Sequence, residues 1–94
     1  MKIDLREEMR QRARAAALEL KLSERDVLVV EEIAATHAEV EILAAVGADV
    51  SDLRRVLEKA WGNLNAAVQA RAQKALTVAL TGIVAGLVRG VLTL

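Results

Sequence analysis

The chain contains no cysteine, no proline, no phenylalanine and no tyrosine. Without cysteine there is neither a disulfide framework nor a thiolate metal site, and the redox compartment is left open. With Trp61 as the only aromatic residue, the interior must be built from Leu, Val, Ile and Ala, and eighteen of the 94 residues are alanine. Side chains that small favour closely packed helices over a sheet sandwich. The high apolar content and the missing proline argue for an ordered chain, of a length that suits one small domain. A domain of this size buries only about 60–70% of the surface its unfolded chain exposes, so its stability alone is modest.

No signal peptide is expected either. The first residues, MKIDLREEMRQRARAAALEL, are charged and hold no apolar segment ahead of a cleavage site. The expectation is a cytoplasmic protein or part of a particle, with membrane association as the alternative. Charge is balanced, thirteen basic against thirteen acidic residues, but it is sorted. Seven acids and no base lie between Asp26 and Asp52, whereas only Lys59, Arg71, Lys74 and Arg89 follow Glu58. Such sorting points to segments that neutralise one another, within the chain or between copies. Basic clusters interleaved with aromatics, the mark of a base-stacking surface, are lacking, which argues against nucleic acid as a partner.

Residues 3–21 read as a helix, with Leu5, Met9, Ala13, Ala16, Ala17 and Leu20 three or four apart. Ser23 is an N-cap signal for a second helix over 24–46, and Gly47 stands where a C-terminal cap belongs. Folding back at Leu22–Ser23 would bring Arg14 towards Glu31 and Glu32, and Arg6 towards Glu39 and Glu41. These features predict an all-α fold: an antiparallel helical hairpin over 1–47, a linker over 48–51, and a long helix over 52–94, in one domain. Ser51 is the expected N-cap of that last helix. Its weak point is WGNLN, where Gly62, Asn63 and Asn65 have low helix propensity, so either one helix runs through or two helices meet there at a kink.

On a helical projection of residues 72–94, Ala72, Ala75, Ala79, Gly82, Gly86 and Gly90 form one small stripe. Leu76, Leu80, Ile83, Leu87 and Val91 form a bulky stripe beside it, and Lys74, Thr77, Thr81, Ala85, Arg89 and Thr93 a mildly polar one. Each glycine inside a helix costs roughly 0.5–1 kcal/mol relative to alanine, and close helix packing is what offsets that. Small face against large face between copies gives a head-to-tail contact that closes into a ring or runs on as a filament. Both stripes, with Trp61 as an anchor, are therefore the expected oligomer interface of a homo-oligomer that can include other subunits. The competing reading has the stripe receive the chain's own hairpin.

The last twenty residues would span about 30 Å as a helix, the thickness of a bilayer core. Against a span stand the missing aromatic belt, the Thr/Arg stripe, and an uncharged stretch of only fourteen residues over 75–88.

Signs of catalysis are lacking. His37 is the only histidine, on the apolar side of the second helix with Glu41 one turn later, and nothing nearby offers a nucleophile. Glu31, Glu32, Glu39 and Glu41 lack the Glu-x-x-His pattern of carboxylate-bridged metal bundles and read as an arginine-paired face. No metal, cofactor or catalytic residue is expected. The reading is a non-enzymatic structural or assembly subunit, as in a virion or another macromolecular complex. The alternative is a membrane-active, tail-anchored or pore-forming helix in the manner of holins and ejection proteins. A weaker alternative is a small helical inhibitor or adaptor that binds a protein partner through its acidic middle helix.

Overall fold

A computed structural model describes residues 4–90 and Leu92. Four helices follow one another: α1 (Leu5–Glu19), α2 (Glu24–Ala45), α3 (Ser51–Gly62) and α4 (Ala66–Val88). Among the described residues there is no strand, in line with the all-α expectation.

Local chemistry accounts for most of the helix ends. The Asp4 carboxylate accepts hydrogen bonds from the Arg6 and Glu7 amides at 3.1 and 3.4 Å and starts α1. Ser23 Oγ accepts from the Asp26 amide at 3.2 Å and starts α2, as its sequence position implies. After α2, Gly47 (φ +80°) turns the chain left-handed, with Gly47 N–H donating to Ala44 O and Ala48 N–H to Leu43 O. The same pair of reverse bonds closes α1, but there the left-handed residue is Lys21, at φ +60°. The turn it makes brings Leu22 into the core.

One expectation for the second half needs correction, and one open alternative is decided. Ser51 is the first residue of α3 rather than its N-cap; Val50 takes the cap position and makes no side-chain bond there. Instead Asp49 accepts from both the amide and the hydroxyl of Ser51, at 3.0 and 2.6 Å. These bonds, the hydroxyl's first and the amide's second, hold the Asp49 carboxyl below its ordinary pKa. Of the two alternatives for residues 52–94, a helix running through WGNLN or two helices meeting there, the structure has the second. Leu64 plugs the core, Asn65 Oδ1 accepts from the Val68 amide at 3.0 Å, and Gln69 Nε2 donates to the carbonyls of Trp61 and Leu64 at 2.9 and 3.1 Å. A fresh N-cap and a buried leucine outweigh helix continuity at this point.

The core lies between α1, α2 and α4: Met9, Ala13, Ala16 and Ala17 meet Val27, Val30, Ile33, Ala34 and Ala38, together with Ala72, Ala75, Ala79 and Ile83. Helix α3 has no buried residue and rests on α2, its half-buried Leu57, Ala60 and Trp61 reaching the edge of the core. Across α1 and α2, Arg6 pairs with Glu39 at 3.5 Å, Arg10 with Glu32 at 3.1 Å and Arg14 with Glu31 at 3.1 Å. The first and last are pairings the sequence anticipates. Exposed pairs contribute about 0–1 kcal/mol each, so they align the helices more than they stabilise them. The Cα envelope measures 35 × 31 × 16 Å, a slab so thin that much apolar surface stays outside.

Candidate functional site

Helix α4 turns the small-residue stripe inward. Ala72, Ala75, Ala79, Ile83 and Gly86 are buried within the protomer, where α4 packs on α1. Leu76, Gly82 and Leu87 are half-buried, Leu80 is 48% exposed, and Gly90 is exposed. Val91 lies outside the described residues. Trp61 is half-buried against the core edge. In this fold the small face serves the chain's own α1.

Three glycines that look equivalent in sequence do three different things. At Gly82 the missing side chain leaves room for the Arg12 guanidinium: a Cβ there would sit 2.6 Å from Arg12 Nη1. At Gly86 it admits Leu92, whose Cδ1 would lie 2.6 Å from a Cβ. Gly90 is not on the helix at all. It follows the C-cap with φ +75°, and the turn beyond it returns the Leu92 amide to Gly86 O at 3.1 Å. Placing Gly90 on the helical stripe is thus corrected by the end of α4 at Val88.

What α4 presents outward is a different surface. Val78, Val84 and Val88 are 52, 50 and 82% exposed. Arg71, Lys74 and Arg89 are exposed beside them, and none makes an ion pair among the described residues. No acid lies on α4. Helix α2 exposes Leu28 and Ile42, and the carboxylates Glu24 and Glu41, without ion-pair partners among the described residues, are on the same helix. The outward side carries a signal, since Val78, Thr81, Ala85 and Val88 fall on one helical stripe with Val84 beside it. It is masked by the stronger glycine pattern on the other side.

His37 stands at a second feature. A hollow of about 190 Å³ is lined by Met9, Ile33, His37, Trp61, Gln73, Leu76, Thr77 and Leu80. An adjoining one of about 270 Å³ is lined by Leu5, Met9, His37, Ala38, Glu41 and Leu80. All four helices contribute, so no single stretch of sequence announces it. No group of three metal-ligating side chains occurs among the described residues. Comparison with protein families, curated proteins and solved structures returns no match.

Proposed function

We propose that the chain is a non-enzymatic helical assembly subunit whose copies meet through the outward face of α4, as a component of a particle or another macromolecular complex. The supporting observation is the exposure of Val78, Val84 and Val88 on a helix that carries Arg71, Lys74 and Arg89, without ion pairs among the described residues, and no acid of its own. A twofold contact would set cation against cation. A head-to-tail contact sets this face against Leu28, Ile42 and the free Glu24 carboxylate of α2, which suits a chain of zero net charge with its charges sorted. The α1–α2 hairpin then serves as the platform that holds α4. The small stripe sets how closely α4 approaches α1 rather than how copies meet.

The test is light-scattering mass of the full chain without detergent, beside Val84→Lys. The expected result is a multimer whose mass falls to that of the monomer in the variant, with helical content unchanged. A monomer at all concentrations would overturn the reading.

One observation favours a second reading. Helix α4 has 23 residues, about 35 Å at 1.5 Å each, and is long and apolar enough to cross a bilayer. It would have to leave α1 to do so. Pelleting of the full chain with membranes, released only by detergent, is the outcome that selects this reading.

A further inference from the structure

We propose that the cleft at His37 binds a small amphipathic amine: an aromatic or aliphatic body carrying one ammonium group. The inference does not depend on self-association.

Size comes first. The hollow beside Trp61, Ile33 and Leu76 is open to solvent and has His37, Gln73 and Thr77 among its walls. Its volume of about 190 Å³ leaves room for a ring the size of benzene, which fits an apolar cavity of about 150 Å³. The adjoining hollow, between Leu5, Ala38 and Leu80, takes a short chain. Because both share Met9, His37 and Leu80, a ligand longer than one ring touches the two together.

Charge then selects the head group. Glu41 is the one carboxylate on either wall, and no lysine or arginine lines them. Its neighbours on α2 are already engaged, Glu31 by Arg14, Glu32 by Arg10 and Glu39 by Arg6. Glu41 makes no ion pair among the described residues, so its charge is directed at nothing within the protomer. His37, whose side chain makes no hydrogen bond among the described residues, offers a ring nitrogen to an N–H. A carboxylate or phosphate ligand would find repulsion here and no cation to offset it.

Because Glu41 is exposed, the head group contributes discrimination rather than most of the affinity. Trp61 lines the site and is the only tryptophan, so its emission reports occupancy directly. The experiment is fluorescence titration of the full chain and of Glu41→Gln at pH 8 with 4-phenylbutylamine, 4-phenylbutanol and 4-phenylbutyrate. The expected result is saturable binding of the amine, weaker by about threefold to fivefold for the alcohol and for the amine on Glu41→Gln, with the carboxylate weakest. No saturable change with the amine would overturn the proposal. So would equal affinity for the three compounds, or an amine preference that survives Glu41→Gln.

Discussion

Leu92 occupies the space that a side chain on Gly86 would need: a Cβ there would lie 2.6 Å from Leu92 Cδ1 and 2.9 Å from its Cγ. The chain's last described residue is thus keyed into α4 by an absence of atoms. Gly86→Ala must displace a buried leucine, and it is expected to lower stability by about 1 kcal/mol after the helix-propensity gain is counted. Adding Leu92→Ala should remove most of the further penalty of Gly86→Ala, because the two changes share one contact. Gly82→Ala meets only the tip of the flexible Arg12 side chain and should be neutral or stabilising by up to about 0.5–1 kcal/mol. Urea denaturation of Gly86→Ala, Leu92→Ala, their double variant and Gly82→Ala checks this, and equal losses at Gly82 and Gly86 would contradict it.

Lys21 and Gly90 hold the same left-handed conformation, φ +60° and +75°, with different right to it. The lysine's Cβ crowds its own carbonyl there, at about 1–2 kcal/mol, and glycine has no Cβ. Lys21→Gly is expected to stabilise by up to about 1 kcal/mol, and Gly90→Ala to destabilise by a similar amount. Thermal midpoints moving in opposite directions are the readout.

Asn65 separates α3 from α4 by capping Val68. Asn65→Ala removes that cap and should cost about 1 kcal/mol, within the usual range of 0.5–2. Amide exchange in the first turn of α4 should rise with it; protection unchanged at Val68 would mean that buried Leu64 alone enforces the break.

Asp49 carries the pH dependence that the structure predicts. Its carboxyl is held below the ordinary value by bonds from Ser51, so it is a better acid folded than unfolded. The folded state therefore gains from this group above the unfolded-state pKa and loses the gain as pH falls through the folded one. Denaturation from neutral to strongly acidic pH should show a larger loss for the native chain than for Asp49→Asn. The difference is small, because the group is exposed.

Sequence pattern alone determined the local features. Ser23 and Gly47 bracket α2 because a hydroxyl at an N-cap and a glycine past the C-cap satisfy orphan backbone groups whatever the rest of the chain does. The pairings of Arg14 with Glu31 and Arg6 with Glu39 follow from counting outward from one turn. Periodicity likewise gathered Ala72, Ala75, Ala79, Gly82 and Gly86 onto one side of a helix. It could not say what lies against that side, because spacing defines a direction around one axis while burial is a relation between two. Only the tertiary structure decided that α1 covers the small stripe, that Gly90 ends the helix instead of extending it, and that Leu64 breaks the chain at WGNLN by dropping into the core. The His37 cleft belongs to the same class. Its walls come from all four helices, and a hollow between them exists only once they have packed.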